Sequence, residues 1–414
     1  MGAADVELPV TANELLLLTA TDRRLHLVPV HALRCVVLSD TGGGAPDRRM
    51  VACTALPSGE AVQVIRDEIR PYAVPDEAVA AVLTRFEATG LRPAASPASA
   101  EQRQALPVFG NLTDPSWLSL SLGGQCDSAC VFCFTEWIRH EPRLTRDQAV
   151  RAVEVAAAIG TVSGVVFTGG EPTLRKDLPD LIRHASAKGF TSIGLQTNGH
   201  RLADPGYFEL LVGSGVTQVL LSLHGASPGT HDRIARRPGS FALALRALAS
   251  LAADDRVRAE VNFVVCAQNA SETEEFLDLV RRVAPGAAVR YSLPIVEGAA
   301  HDNAESTLPS LRTFVERVSA ALARAAGDVQ VSVANVPPCI ASAVGLPAAY
   351  TLSQRRSMLG VSPFVSSAVL RGEVAAKLHV CGGCPFADDC DGLQLPYLRQ
   401  FPEAHRDLAA ALGR

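Results

Sequence analysis

Between about residues 116 and 293, short β-type runs alternate with stretches of helical periodicity, and this alternation constrains the fold more than any other feature of the chain. Strands that alternate with helices pair in parallel through crossover connections. The expected strands are Trp117–Leu122, Gly164–Thr168, Ser192–Gln196, Gln218–Leu223, Arg258–Val265 and Val289–Leu293. Helices are expected near 145–159, 177–188, 205–213, 240–252, 271–283 and 308–325. Thr145-Arg-Asp-Gln148 and Ser271-Glu-Thr-Glu274 have the capping-box form, in which side chain and backbone satisfy each other's free groups at a helix start. Six such units predict an α/β fold that closes most of a (β/α)6 barrel.

The distinctive residues all fall just after expected strands, at the edge where parallel α/β folds gather ligands. Cys126, Cys130 and Cys133 follow the first strand, in C-D-S-A-C-V-F-C. Three thiolates on a short loop can hold three irons of a 4Fe–4S cube and leave the fourth iron open. Closely spaced thiolates also suit zinc, although structural zinc takes four closed tetrahedral ligands. Thr168-Gly-Gly-Glu-Pro172 follows the second strand, Gln196-Thr-Asn-Gly199 the third and Ser222-Leu-His-Gly225 the fourth. Gly169 and Gly170 let backbone approach a ligand closely, and Glu171 can accept hydrogen bonds from an ammonium; Gly169-Gly-Glu-Pro172 also makes an ordinary strand-to-helix turn. Ser222 and His224 alternate along one strand and so share a face.

This ordered set, over about residues 115–300, resembles the radical S-adenosyl-L-methionine (SAM) superfamily. The resemblance implies a partial TIM-like barrel in which Cys126, Cys130 and Cys133 hold the catalytic 4Fe–4S cluster, with SAM on the open iron and reductive cleavage to a 5′-deoxyadenosyl radical. Phe132 matches the aromatic position before the last cysteine. Gly169, Gly170 and Glu171 take the place of the motif that binds the SAM amino group. Asn198 becomes a candidate for the ribose or for shaping the pocket, and Ser222 stands for the fourth-strand polar contact. Arg233 is placed against the SAM carboxylate, with Arg236 and Arg237 as competitors. Asn262 on the fifth strand and Asn269 past its end are alternative contacts, and Ile295 to Gly298 match the adenine contact. His224 reads either as a buried, hydrogen-bonded ring or as a substrate contact. The resemblance also implies an electron donor such as flavodoxin or ferredoxin.

Beyond the core, Cys381, Cys384 and Cys390 form C-x2-C-x5-C, and Cys339 completes four thiolates. This tail resembles the twitch or SPASM-like extensions that carry an auxiliary 4Fe–4S cluster, with too few cysteines for the two clusters of a full SPASM domain. Four thiolates serve zinc equally well.

At 414 residues the chain has room for two or three domains. We expect a small N-terminal α+β module at 1–92, which would recognise substrate or peptide, a linker at 93–111, the core at 112–300 and a cysteine-rich extension at 301–414. Runs at Glu14–Thr19, Leu25–Val30, Cys35–Leu38 and Met50–Thr54 read as hairpin strands, and Val79, Val82, Leu83 and Phe86 as one face of a helix. The ten cysteines are few for this length; seven cluster, and Cys35, Cys53 and Cys266 read as small buried hydrophobes. The net charge of −5, with no sustained Lys/Arg block, argues against nucleic acid as partner. The N-terminus has no basic region and Leu15 to Leu18 is too short to span a membrane, so a reducing cytoplasm is expected. The substrate is a peptide, the first reading, or a small molecule or lipid undergoing dehydrogenation, coupling or methylation. A non-catalytic iron–sulfur or zinc module is the alternative of another class.

Overall fold

The computed structural model describes strands at 16–20, 23–29, 34–40, 49–52 and 108–110, and the chain from 116 to 411 apart from 141–142, 160, 326, 348–357, 362–375, 383, 387–389 and 391. The chain divides into two compact units, Met1–Pro115 with Met358–Val365, and Ser116–Ser357 with Ser366–Arg414.

In the first unit, β1 (Leu16–Ala20), β2 (Arg23–Pro29), β3 (Arg34–Asp40) and β4 (Arg49–Ala52) form an antiparallel sheet in chain order. The expected hairpins are therefore present. The helix at Val79–Phe86 and the linker at 93–111 fall largely outside the described residues; within 93–111 only β5 (Val108–Gly110) is described.

The second unit is built on β6 (Trp117–Ser121), β7 (Gly164–Thr168), β8 (Ser192–Thr197), β9 (Gln218–Ser222), β10 (Arg258–Val264), β11 (Ala288–Ser292) and β12 (Val331–Ala334). Each pairs in parallel with the next, and the seven curl into a half-barrel. The crossovers are α1 (Arg146–Ile159), α2 (Leu178–Ala187), α3 (Pro205–Ser214), α4 (Pro228–Ala235), α5 (Ser240–Ala252), α6 (Thr273–Val283) and α7 (Leu311–Ala325). Further on, β13 (Met358–Val361) returns to the first unit, antiparallel to β5.

Strand alternation sorts the side chains. Leu118, Leu120, Val165, Phe167, Ile193, Leu195, Leu221, Val261, Phe263 and Tyr291 are buried beneath the helices. Phe263 packs on Phe276 of α6 and on Tyr291, with ring centroids 4.4 Å and 5.7 Å apart. The opposite, concave face carries Ser119, Ser121, Thr168, Gln196, Gln218, Ser222, Glu260, Asn262 and Arg290, all partly accessible. One face is the core and the other is a polar lumen.

Three features differ from the expected pattern. The sheet has a seventh strand, β12, so it runs on past residue 300; four residues carry too little periodicity to announce a strand, and pairing with β11 creates it. Helix α4 was not anticipated, although Ser227 caps it by accepting from the Thr230 N–H and Pro228 occupies its first turn. The box at Thr145 and Gln148 forms in both directions, at 3.2 Å and 2.9 Å. The one at Ser271 does not. There the chain enters α6 through a 3-10 turn, Ala270–Glu272, organised by the buried Asn269 amide, which accepts from the Cys266 N–H and donates to the carbonyls of His224 and Val264.

Among the described residues, no helix is long and apolar enough to cross a membrane.

Candidate metal and cofactor site at the barrel mouth

The loop that carries Cys126, Cys130 and Cys133 leaves β6 at the carboxyl edge of the sheet and is tied down from several sides. Its Ala129 and Val131 N–H groups donate to the carbonyls of Ala235 and Ile234 at the end of α4. Its Cys133 carbonyl accepts from Ala299, and its Val131 carbonyl from Asn303, both beyond β11. Arg139 donates to the Ser128 carbonyl at 2.5 Å. A loop with this many attachments holds its thiols in a defined place before any metal arrives.

The donor set fits an iron–sulfur cluster. All three thiols are free, and Cys126 Sγ accepts from the Ser128 N–H at 3.4 Å. Burial pushes the Cys126 thiol up to about 11, with Glu171, Asp127 and Cys133 adding to the rise. Cys130 is driven up as well, by burial first and then by Cys133 and Cys126. Among the described residues no three His, Cys, Asp or Glu side chains converge on a single-ion point. A cube, by contrast, takes thiolates spread over its corners.

Asp127, inside the cysteine loop, is the residue that sequence reasoning missed. Its Oδ1 accepts from Asn198 Nδ2 at 2.7 Å, and its Oδ2 lies 2.8 Å from Arg237 Nη1 and 3.2 Å from His200 Nδ1. Arg237 also donates to the Asp127 carbonyl at 2.6 Å. Partial burial alone would raise the Asp127 carboxyl; hydrogen bonds from His200 and Asn198 and the charges of His200 and Arg237 outweigh it and hold the group at about 2. The position between two cysteines was the available signal.

The Gly-Gly-Glu turn after β7 is built differently from its sequence reading. A Cβ on Gly170 would stand 2.2 Å from the Gln125 carbonyl oxygen, and one on Gly169 would stand 2.5 Å from that of Gly123. The close approach that these glycines permit is therefore to the cysteine loop's own backbone. Gly170 and Glu171 N–H groups donate to the carbonyls of Gly123 and Gln125 at 2.6 Å and 2.7 Å. Glu171 is buried, and its carboxylate accepts from the Thr173 N–H and hydroxyl, the Thr197 hydroxyl and the Asn198 N–H. Burial pushes its carboxyl up against those donors. Glu171 thus ties the turn after β7 to the turn after β8.

The remaining candidates separate. Ser222 ends β9 on the lumen face, and Asn262 lies beside it in register. Asn269 is consumed by backbone, which leaves Asn262 as the lumen-facing member of that pair. Arg233 is exposed on α4, with its guanidinium on its own helix's Gly229 carbonyl; Arg237 is the arginine that reaches the cysteine loop. Helical geometry turned Arg233 outward, and four residues later the chain comes back. Phe132 meets His224 edge-on, with centroids 4.8 Å apart. His224 is the buried, hydrogen-bonded ring: its Nδ1 accepts from the Val264 N–H, so its proton sits on Nε2, and burial drives its basicity well down. Ile295 is half-buried in the turn after β11, where Gly298 and Ala299 abut the carbonyls of Cys133 and Phe134.

In the tail, Cys339, Cys381, Cys384 and Cys390 line one cavity, walled by Pro337, Pro338, Phe386 and Leu408. Burial lifts the Cys339 thiol to about 12, with Cys390, Cys384 and Cys381 adding to the rise. The Gly392 N–H donates to Cys390 Sγ at 3.3 Å. Gln394 accepts from the Val296 N–H and donates to the Pro294 carbonyl, so the tail docks on the turn that also abuts the cysteine loop.

Residues 120–280 match the model of the Radical SAM superfamily. The half-barrel is a radical SAM domain. Mycofactocin maturase MftC of Mycolicibacterium smegmatis is 32% identical over 181 residues, 44% of this chain and 45% of that protein. A probable GTP 3′,8-cyclase of Saccharolobus islandicus is 26% identical over 203 residues, 49% of this chain and 65% of that one. The radical SAM domain thus belongs to a superfamily of enzymes, and the match spans less than two thirds of either curated relative. Streptococcus suis SuiB bound to the precursor peptide SuiA shares the fold, with a TM-score of 0.54 at 12% identity over 88% of this chain and 93% of SuiB.

Proposed function

We propose that this chain is a radical SAM enzyme that modifies a peptide. The observation that carries the reading is the gathering of three free thiols over a polar half-barrel lumen, at the carboxyl edge of its strands. A 4Fe–4S cluster bound there would supply the electron for reductive cleavage of SAM, and with it the radical chemistry that removes a hydrogen atom from a substrate. Cys126, Cys130 and Cys133 hold that cluster, and Asp127 and Glu171 fix the loop on the turns after β8 and β7. Gly169, Gly170, Asn198, Ser222 and Ile295 border the space for SAM. The barrel must keep water from a primary carbon radical.

Cys339, Cys381, Cys384 and Cys390 hold an auxiliary 4Fe–4S cluster in this reading, and a ferredoxin or flavodoxin delivers the electron. Free thiols at both groups suit a reducing cytoplasm. The likeness to a maturase, and to a fold seen with a precursor peptide, supports a peptide substrate. The likeness to a probable GTP cyclase supports a second reading, a small-molecule substrate.

The test is anaerobic reconstitution with iron and sulfide, reduction in the presence of SAM, and assay for 5′-deoxyadenosine. Cleavage well above a Cys126/Cys130/Cys133→Ala control is expected. Loaded protein that releases no more 5′-deoxyadenosine than that control would sink the reading.

A further inference from the structure

Strands β10, β11 and β12 place a charged pair on the concave face where packing alone would favour none. Along β10 and β11, Val261, Phe263, Val289 and Tyr291 point into the core, while Glu260, Asn262 and Arg290 face the lumen. Asn262 stands opposite Arg290, and Arg290 opposite Ser332. Arg290 grips Glu260 side-on, through Nε at 3.0 Å and Nη2 at 2.5 Å, and Ser332 steadies the same carboxylate at 3.1 Å. Both side chains keep about a quarter of their surface open, 22% for Arg290 and 24% for Glu260. A half-desolvated ion pair gives little net stability, and apolar residues of similar size often do as well.

Its unused capacity is specific. With Nε and one Nη2 hydrogen engaged, the end-on edge of the guanidinium, Nη1 with the second Nη2 hydrogen, meets no acceptor among the described residues. Asn262 spends Oδ1 on the Ser292 hydroxyl at 2.6 Å, and its Nδ2 meets no acceptor among the described residues. Among the described residues Glu260 Oε2 accepts only from Arg290, and it has lone-pair capacity left. The lumen wall thus offers donors beside an acceptor, with no net charge. A second carboxylate here would add an uncompensated negative charge, whereas an amide brings a carbonyl for the donors and an N–H for the acceptor. Arg290 also lies two residues below the end of β11, about 7 Å down from the mouth where the thiols sit.

We propose that Glu260, Arg290 and Asn262 form an amide-reading subsite on the lumen wall, holding the substrate's peptide group. The proposal rests on the peptide reading above. Its readout is binding without turnover, so it can fail while SAM cleavage stands, and the converse.

The probes are N-acetylglycine N′-methylamide for a backbone amide, acetamide for a side-chain carboxamide and acetate for a carboxylate, followed by saturation-transfer NMR on the full, reconstituted chain. The backbone probe is expected to bind, acetate not to compete with it, and acetamide to compete only if a side-chain amide is also read. In the double variant Glu260→Leu/Arg290→Met, probe affinity should fall about tenfold or more while circular dichroism and iron content stay the same. Undiminished probe binding in the double variant overturns the proposal, as does acetate competing as well as the amide. A variant that fails to fold makes the pair structural and overturns it too. Loss of SAM affinity in equilibrium dialysis would reassign Arg290 to the SAM carboxylate.

Discussion

At the scale of single residues, the histidines behind the mouth are the clearest case of environment overriding type. His231 is buried, and its Nδ1 accepts from the His224 N–H at 2.9 Å. Burial lowers its basicity, Asp232 pushes part of the way back and His200 adds to the fall, which leaves it at about 4 against an ordinary 6.5. The folded protein therefore keeps the ring neutral, while the unfolded chain takes up a proton first. Its contribution is complete above pH 6.5 and is lost as pH falls from 6.5 to 4, about 3 kcal/mol in all. Urea unfolding of the wild type across that window should show this acid slope. His231→Asn, whose Oδ1 takes the place of Nδ1 as acceptor for the His224 N–H, should lessen it, with the buried His224 supplying the remainder; an unchanged slope would place the acid sensitivity elsewhere. Sequence alone left His224 open between two roles, because burial and backbone partners come from strands far apart in the chain.

At the scale of elements, the site is a set of loops stapled to one another at the carboxyl edge of a sheet. The Gly-Gly-Glu turn is legible in the sequence as a motif, but its partner is not. Gly170 meets the Gln125 carbonyl because β6 and β7 are neighbours in register, Ser121 beside Thr168. Gly170→Ala should break the two backbone hydrogen bonds to Gly123 and Gln125, at about 2 kcal/mol, and lower the iron retained after reconstitution several-fold. Gly189 is the control. It has a positive φ, +89°, which Gly170 lacks, and open space around it, so Gly189→Ala should cost only the backbone strain, about 1 kcal/mol, with iron retained. Equal iron loss in both variants would show that the contact is immaterial. The short strand β12 and the helix α4 escaped sequence reading at this same scale, since neither carries enough residues for its period to stand out.

At the scale of the whole molecule, residues 294–299 link two cysteine groups that lie about 250 positions apart in the chain. Val296 binds Gln394 of the tail, and Ala299 binds the Cys133 carbonyl. If the tail group carries a cluster of its own, Cys381→Ala/Cys384→Ala should contain about four fewer irons per chain and no added zinc, by elemental analysis of the reconstituted protein. Zinc in the wild type, lost in that variant with iron unchanged, would make the tail site a closed zinc centre. Because metal binding is coupled to folding, the variant should also lower the melting temperature of the tail.

The sequence by itself determined the parallel α/β architecture, the cysteine loop and the order of motifs along the barrel edge, because strand and helix periods and ligand spacings are local properties. Tertiary structure alone decided that Asp127 and Arg237 secure the loop where Arg233 does not, that Glu171 is a buried tie, and that Glu260 and Arg290 meet inside the lumen. Those facts depend on register between strands and on which face a helix turns inward, and neither is written in any short stretch of chain.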